Sequence, residues 1–260
     1  LTLELAPGKL RLAPEQEPIL RDDGYLDDDP GRSLLWASDL VPAKKQVDVV
    51  VVGHVFATEG PTTALTARLR IGSVDKRLDV VADRARGQDG KVYQGGPFVR
   101  MPLLYDSLWL DVGFSFGRMP LLYERAAGGP GTDNPVGLRA ESRDPFGRQP
   151  LPNLLPHGAA PEQPAPPIGF GPISPRWQSR AARLGAGTSP EHLLDRALQD
   201  AFDFAYFNAA PLDQQQASIA LDAELELEHL HPELRTIKAR LPGVAPEVVV
   251  TRGGVSERPA

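Results

Sequence analysis

The sequence predicts a mainly β fold, built of antiparallel, sandwich-like sheets with two or three short helices and a proline-rich extended strap. Short stretches of the chain alternate apolar and polar residues with the period of two that is typical of strands. Clusters of Gly, Pro and Asp lie between these stretches and favour chain reversals. The 260 residues are 41% apolar, which is enough for a buried core. We therefore expect a single β-rich domain over residues 1–260.

The alternating stretches place strands toward both ends of the chain. The predicted strands are LTLEL (1–5), VDVVVVGHVF (47–56), TALTARLRIG (63–72), RLDVVA (77–82), ASIALDAELELEHL (217–230) and PEVVVT (246–251). Valine, leucine and threonine are enriched in them, as expected for half-buried strands. ATEGPT (57–62) and GSVDK (72–76) carry the residues that reverse a chain, so they predict hairpin turns.

A proline-rich segment covers residues 145–176. Ten of the 27 prolines lie between Pro145 and Pro175, a density typical of polyproline linkers. A flexible linker would not carry so many large apolar side chains, however. These are Leu151, Leu154, Leu155, Ile168, Phe170, Ile173 and Trp177. We expect this segment to lie as ordered extended chain over the sheets.

Two helices are predicted after this segment. In SPRWQSRAARLG, Ser174 is the cap, Pro175 occupies the first helical position and Gly185 ends the helix. In TSPEHLLDRALQDAF (188–202), a serine or threonine caps a stretch with an apolar stripe. Both are expected to be surface helices that pack by one face.

Composition excludes several classes of function. The formal net charge is −6, with acidic and basic residues interspersed, so the chain lacks the basic patch that nucleic-acid contacts require. No cysteine is present, which excludes disulfides and thiolate chemistry. No apolar run approaches the ~20 residues of a membrane span, and the N-terminal residues do not resemble a signal peptide. We expect a soluble protein.

One motif points to an enzyme. GFSFG at Gly113–Gly117 has the G-x-S-x-G spacing of the nucleophile elbow of serine hydrolases. An elbow needs a sharp turn from strand into helix at the serine, whereas apolar residues alternate without a break from Leu108 to Phe116. This alternation favours a strand that continues through Ser115. A serine hydrolase using Ser115, with His157 or His192 as the base, is kept as an alternative.

Two groups of residues carry side chains that metal ions prefer. His229 and His231 are two apart on a predicted strand and could grip one ion, but Glu224, Glu226 and Glu228 alternate onto the opposite face, which leaves the histidines without a third ligand. The acidic stretch DDGYLDDDPG (22–31) does not have the spacing of a calcium loop. No glycine-rich phosphate motif occurs. We expect no catalytic, cofactor or metal site.

Several blocks along the chain carry a resemblance when taken in order. They are SDLVPAKKQVDVVVVGHVFA (38–57), MPLLYERAAGG (119–129), NPVG (134–137), LPNL (151–154), IGFGPISPRWQSR (168–180), AGT (186–188) and DFAYFNAAPLDQQ (203–215). In these blocks the chain resembles the bacterial, type VI secretion-associated family of uncharacterised-domain proteins that accompany effectors with a PAAR-like domain. The resemblance runs from about Glu15 to Gly243.

The resemblance implies a function, a partner and a cytoplasmic location. Members of that family are thought to act as chaperones or adaptors that load the effector onto the secretion spike, so the expected partners are a PAAR-like effector and the spike protein. It implies no catalytic residues, and it suggests that the chain is truncated at both ends relative to the family. A carbohydrate-binding or structural β module is the third hypothesis, for which Trp36, Trp109 and Trp177 would be the exposed aromatic side chains.

The blocks also have a purely structural interpretation. NPVG, LPNL and NAAP (208–211) place proline beside asparagine or glycine. Such residues fix turns, and asparagine side chains hydrogen-bond to buried backbone. We expect these asparagines to hold the fold rather than to bind a ligand.

Overall fold

The computed structural model describes residues 2–6, 9–28, 33–103, 147–151, 153–160, 168–175, 178–184, 202–245, 250–252 and 255–257. Within them the prediction of a mainly β, antiparallel protein is confirmed. The strands are β1 (Leu3–Ala6), β2 (Lys9–Leu12), β3 (Gly24–Tyr25), β4 (Leu34–Trp36), β5 (Val47–Asp48), β6 (His54–Phe56), β7 (Ala64–Ile71), β8 (Val74–Val81), β9 (Arg84–Arg86), β10 (Val92–Gln94), β11 (Arg100–Pro102), β12 (Gln149–Leu151), β13 (Leu154–Pro156), β14 (Gln215–Gln216), β15 (Glu224–Glu228), β16 (Thr236–Arg240), β17 (Val250–Arg252) and β18 (Val255–Glu257).

The largest sheet has five antiparallel strands in the order β13-β8-β7-β15-β16. Its centre is the long hairpin β7–β8, whose register runs from Ala64 opposite Val81 to Ile71 opposite Val74. Only Gly72 and Ser73 connect the two strands, and Gly72 has a φ of 57°. A two-residue hairpin turn needs this left-handed conformation, which glycine adopts readily. The turn is thus shorter than the predicted stretch 72–76, and pairing begins at Val74.

Shorter pairs surround this sheet. β9 lies between β10 and β12, while β1 pairs with β2, β3 with β4, β5 with β14, β6 with β11 and β17 with β18. All of these pairs are antiparallel.

The core lies on one face of the five-stranded sheet. Alternate residues of β7 and β8 are buried there, and side chains from other strands and loops close the core against them. The main members are Ala67, Leu69, Ile71, Val74, Leu78, Val80, Val55, Phe98, Met101, Leu103, Leu154 and Phe170. Phe170 is completely buried, and burial of a side chain of that size contributes about 1.5–3 kcal/mol.

The predicted strand Val47–Phe56 is divided in the structure. Its ends form β5 and β6, but the residues between them bond to segments that are distant in sequence. Val49 N–H donates to the Gln214 carbonyl at 3.0 Å, and Val51 N–H donates to the Phe170 carbonyl at 2.9 Å. The alternation was correct as a pattern of burial, since both residues pack against the core. Residues 47–56 do not form one regular strand, because the N–H groups of Val49 and Val51 bond to two different segments.

The helices are shorter than predicted. Of the predicted stretch 174–185, Gln178–Ala181 forms one α-helical turn, α1, followed by a 3-10 turn at Ala182–Leu184. The predicted helix at 188–202 falls almost entirely outside the described residues. Further 3-10 turns occur at Leu26–Asp28, Phe204–Phe207 and Leu212–Gln214.

The described parts of the proline-rich segment lie against the sheets. Leu154 and Leu155 of β13 are buried on pairing with β8, and Phe170 and Ile173 are also buried. Trp177 lies outside the described residues.

Candidate protein interface at the sheet edge

Strand β16 forms one edge of the five-stranded sheet. On one side it pairs with β15, with Leu227 opposite Ile237 and Leu225 opposite Ala239. Two backbone bonds at the ends of this pairing fix its phase: His229 N–H donates to the Arg235 carbonyl at 2.7 Å, and Leu241 N–H donates to the Ala223 carbonyl at 2.9 Å. In an antiparallel pair, every second residue directs both backbone groups to its partner strand. Ile237 and Ala239 therefore bond to β15.

The intervening residues of β16 direct their backbone groups away from the sheet. They are Thr236, Lys238 and Arg240, all of them exposed. Within the described part of the chain, no hydrogen bond involves their main-chain N–H groups, and no strand pairs with this side of β16. β2 contacts β16 without pairing to it. An edge of this kind can accept a strand from another chain.

The solvent-facing side of the sheet next to this edge is charged. Glu226, although only 7% exposed, lies 2.9 Å from Lys238 Nζ, 3.4 Å from Arg70 Nε and 3.5 Å from Arg68 Nη1. The hydrogen bond from Lys238, assisted by the charges of the two arginines, lowers the pKa of Glu226. Glu226 is therefore ionised at neutral pH and fixes the Lys238 side chain at the edge.

Further ion pairs extend this charged face in both directions. Arg68 binds Asp75 through two parallel hydrogen bonds of 2.7 and 2.6 Å, which lower the pKa of Asp75 and raise that of Arg68. Toward the edge, Arg240 donates to Glu224 at 3.0 Å. The acidic side chains thus lie on β15 and β8, whereas β16 itself carries only basic ones, Lys238 and Arg240.

Two shallow clefts lie beside β16. The first, of about 380 Å³, lies where the chain enters β16 and is lined by residues that include Thr58, Glu59, Glu228, His229 and Arg235. The second, of about 370 Å³, lies on the charged face between β15 and β16, with Arg70, Glu226, Lys238 and Arg240 among its lining residues.

Buried polar side chains join segments of the chain that are distant in sequence. Gln214 is completely buried, and its Nε2 donates to the carbonyls of Val49 at 2.6 Å and Phe170 at 2.9 Å. Its Oε1 accepts a hydrogen bond from Lys76 Nζ at 2.8 Å. One side chain of the DFAYFNAAPLDQQ block thereby joins three separate segments of the chain.

The asparagines of LPNL and NAAP have the predicted structural role. Asn153 Nδ2 donates to the Val81 carbonyl at 3.0 Å and to Asp83 at 2.9 Å. Asn208 Nδ2 donates to the Gln46 carbonyl at 2.7 Å and to Asp48 at 2.9 Å. Both asparagines are buried. NPVG (134–137) lies outside the described residues.

Arg180 is a buried cation that the sequence analysis missed. Its Nη1 donates to the Ile173 carbonyl at 2.6 Å, its Nε donates to the Tyr206 carbonyl at 3.1 Å, and its guanidinium lies 5.3 Å from the centre of the Tyr206 ring. Burial lowers the pKa of Arg180, while the nearby Tyr206 and acidic groups act in the opposite direction. Arg180 therefore ties α1 to the aromatic turn Phe204–Phe207.

The histidines do not lie as predicted. β15 ends at Glu228, and His229 has a φ of 59°, so His229 and His231 do not share a strand face. His229 Nδ1 is 3.0 Å from the Phe56 carbonyl, and His231 Nδ1 accepts from the N–H groups of Glu233 and Leu234, each at 3.1 Å. No group of three or more potential metal ligands occurs in the part of the chain that is described.

The other candidates from the sequence are only partly described. Ser115 and the whole of GFSFG fall outside the described residues, as do Trp109 and Trp177. In the acidic stretch, Asp23 accepts hydrogen bonds from Ser38 N–H at 2.8 Å and from the Tyr25 hydroxyl at 3.3 Å. Trp36 is 44% exposed.

The interface residues were not predicted from the sequence. TIKAR (236–240) was not assigned to a strand, although Ile237 and Ala239 alternate with Lys238 and Arg240 in the pattern of a half-buried strand. That alternation could have revealed β16. Its position at an edge depends on strand order, which this local pattern does not contain.

None of the described helices is long and apolar enough to cross a membrane.

One family model matches the whole chain. The model of the DUF2169 family, described as an uncharacterized protein conserved in bacteria, matches residues 1–260. No curated protein and no solved structure matches the chain. The description of the family names neither a secretion system nor a partner. Because the match covers the chain from end to end, the protein belongs to this family of proteins conserved in bacteria.

Proposed function

We propose that the protein is a non-enzymatic adaptor or chaperone that binds a PAAR-like effector and loads it onto the type VI secretion spike. The observation that carries this proposal is the edge of β16 beside a fixed charged face. There the alternate residues Thr236, Lys238 and Arg240 direct outward backbone groups that have no partner among the described residues. The sequence blocks described above supply the class of partner. Loading of an effector before secretion would take place in the cytoplasm.

The open edge has the properties of a docking site for an extended segment. A strand added to a sheet gains a row of main-chain hydrogen bonds, each with a net contribution of about 0.5–1.5 kcal/mol. The clefts beside β16 would add specificity by receiving side chains of the partner. A stable complex needs at least ~1,000 Å² of buried surface. Pairing with β15 along its whole length holds β16 in the sheet, so little ordering of the edge is needed on binding.

Co-expression with a PAAR-like effector encoded by a neighbouring gene tests the proposal. We expect the effector's soluble yield to rise and the two proteins to co-elute in size-exclusion chromatography. An unrelated secreted protein from the same cell serves as the control and should gain nothing. The proposal fails if the effector is equally soluble alone and is secreted normally by cells that lack this protein.

The serine hydrolase stays an alternative: Nδ1 of His157, one of its two expected bases, lies 2.8 Å from Asp79 Oδ1, while Ser115 lies outside the described residues. The carbohydrate-binding module also stays an alternative, since Trp109 and Trp177 lie outside the described residues.

A further inference from the structure

We propose that the β16 edge selects an extended partner segment with acidic side chains at alternate positions and apolar side chains between them. This proposal rests on the proposed function in one respect only, namely that the bound segment belongs to an effector that is secreted. The chemistry of recognition follows from the edge itself.

The basic side chains on β16 define one face of the binding strand. Thr236, Lys238 and Arg240 point to the charged face, where Lys238 and Arg240 are 73% and 61% exposed. Side chains of an added strand would lie directly beside them on that face. Glu226 binds Lys238, while Glu224 and Asp222 both pair with Arg240, at 3.0 and 3.7 Å. The remaining N–H groups of Lys238 and Arg240 can donate hydrogen bonds to carboxylates that arrive from the open side.

The other face of the same strand is apolar. Ile237, 8% exposed, and Ala239 point to the core side of the sheet. Alternate side chains of a bound segment would lie near this apolar surface, so apolar residues are favoured at those positions.

Charge argues against a second copy of this chain as the occupant. Antiparallel pairing of two β16 strands about their centre would bring Lys238 opposite the same residue of the other copy. Like charges directly opposite each other destabilise a sheet. Lys9 of β2, which is exposed, adds further positive charge to the neighbouring strand. An acidic segment removes this repulsion, although the whole chain has a net charge of −6.

The binding probe is a fluorescein-labelled peptide of four Glu-Val repeats, measured by fluorescence anisotropy with the full chain. Two peptides serve as controls: four Lys-Val repeats, and a block peptide of four Glu followed by four Val. We expect the Glu-Val repeat to bind at least ~10-fold more tightly than either control, because it alone matches both charge and alternation. Equal binding of the three peptides, or no binding of the Glu-Val repeat, overturns the proposal.

The variant Lys238→Pro tests the main-chain contact. Its N–H points outward, so proline removes a donor for the partner without removing a bond to β15. Lys238→Gln keeps that N–H and removes only the charge, and Arg77→Gln removes an exposed positive charge of β8 away from the edge. We expect Lys238→Pro to weaken peptide binding ~10-fold or more, Lys238→Gln to weaken it less, and Arg77→Gln to leave it unchanged. Unchanged binding by Lys238→Pro would refute the edge as the site.

A second measurement covers the case in which Lys238→Pro does not fold. Methylation of alternate backbone nitrogens in the Glu-Val peptide blocks ladder formation from the ligand side and leaves the protein intact. Two peptides are needed, one methylated at the Glu nitrogens and the other at the Val nitrogens. One of the two must fail to bind, and binding of both would overturn the proposal.

Co-elution with the effector distinguishes this proposal from the proposed function. An effector that co-elutes equally with wild type and a folded Lys238→Pro variant refutes the edge alone, whereas peptide binding without effector binding refutes the adaptor role alone.

Discussion

Lys76 Nζ donates a hydrogen bond to Gln214 Oε1 at 2.8 Å, and both side chains are buried on the core side of the five-stranded sheet. Lys76 lies between Val74 and Leu78 on β8, so its ammonium enters the core from an apolar row. It also donates to Asp213 at 3.0 Å. Burial lowers the pKa of Lys76, while Asp213 opposes that change. A buried cation of this kind requires its partners, which fixes the turn Leu212–Gln214 against β8.

Replacement of Gln214 by alanine should therefore destabilise the fold strongly. Gln214→Ala removes an acceptor from Lys76 and a donor from two buried carbonyls, those of Val49 and Phe170. Each buried group left without a partner costs about 1–3 kcal/mol, so we expect a loss of at least ~2 kcal/mol in the free energy of unfolding. Urea denaturation followed by circular dichroism measures it.

Leu212→Ala is the matched control for this change. Leu212 belongs to the same 3-10 turn but is 75% exposed, so its truncation should alter stability by no more than ~0.5 kcal/mol. Similar effects of the two substitutions would show that Gln214 is not a clamp.

Gly72 is expected to be intolerant of a side chain for two reasons. Its φ of 57° is strained for other residues by ~1–2 kcal/mol, and a Cβ there would lie 2.5 Å from Gln216 Oε1. That oxygen accepts hydrogen bonds from the N–H and the hydroxyl of Ser73, both at 3.0 Å. Gly72→Ala should therefore introduce backbone strain and weaken these hydrogen bonds. Both effects lower the stability of the fold, and a lower midpoint of urea denaturation would measure their sum.

Gly243→Ala separates the two contributions. Gly243 has a φ of 73°, but no atom of the described residues lies within 4 Å of a Cβ at that position. It should show the strain cost alone, smaller than the cost at Gly72. If Gly243→Ala is as destabilising as Gly72→Ala, the Gln216 contact contributes nothing.

Local pattern was sufficient for the parts of the fold that depend on near neighbours. The hairpin β7–β8 was predictable because both strands alternate regularly and only a glycine turn separates them. The asparagines of LPNL and NAAP were predictable because their side chains bond to backbone wherever the chain turns near buried carbonyls. Lys76 was placed in a turn, yet a two-residue turn would have put it in phase with Val74 and Leu78, inside the core.

Features that depend on distant partners were not predictable from the same patterns. The division of Val47–Phe56 depends on carbonyls of Phe170 and Gln214, more than a hundred residues away. His229 leaves the strand because β15 ends one residue earlier, in a turn back to β16. The open edge exists because β15 lies between β7 and β16, an order that no single stretch encodes.

Arg180 is expected to be irreplaceable by lysine. Its guanidinium reaches two carbonyls at once and stacks on Tyr206, a geometry that an ammonium on a flexible stem does not reproduce. Arg180→Lys should lower the free energy of unfolding by about 1–3 kcal/mol, because a buried charge loses part of its hydrogen bonding. Thermal and urea denaturation measure the change.

Arg183→Lys provides the comparison for this position. Arg183 follows within the next turn and pairs with Asp203 at 2.7 Å, but its side chain is 31% exposed. Lysine can retain such a partly exposed ion pair, so the loss should be below ~1 kcal/mol. An Arg180→Lys variant as stable as Arg183→Lys would contradict the proposed clamp between α1 and the aromatic turn.

Asp203 should make stability depend on pH in the acid range. Hydrogen bonds from Lys45, from the Ala205 N–H and from Arg183 lower the pKa of Asp203 from 3.8 to about 2. Because the folded pKa lies below the unfolded one, the unfolded state binds more protons between these values. The stability that the carboxylate contributes is complete above about pH 5 and is lost as the pH falls toward 2. We therefore expect the stabilities of wild type and Asp203→Asn in urea denaturation to differ most near neutral pH and to converge below pH 4.

The control variant is Asp222→Asn, which removes an exposed carboxylate that pairs with Arg240 at 3.7 Å. Its difference in stability from wild type should stay small at every pH. A gap between wild type and Asp203→Asn that is unchanged from pH 6 to pH 3 would show that the ion pairs at Asp203 do not stabilise the aromatic turn.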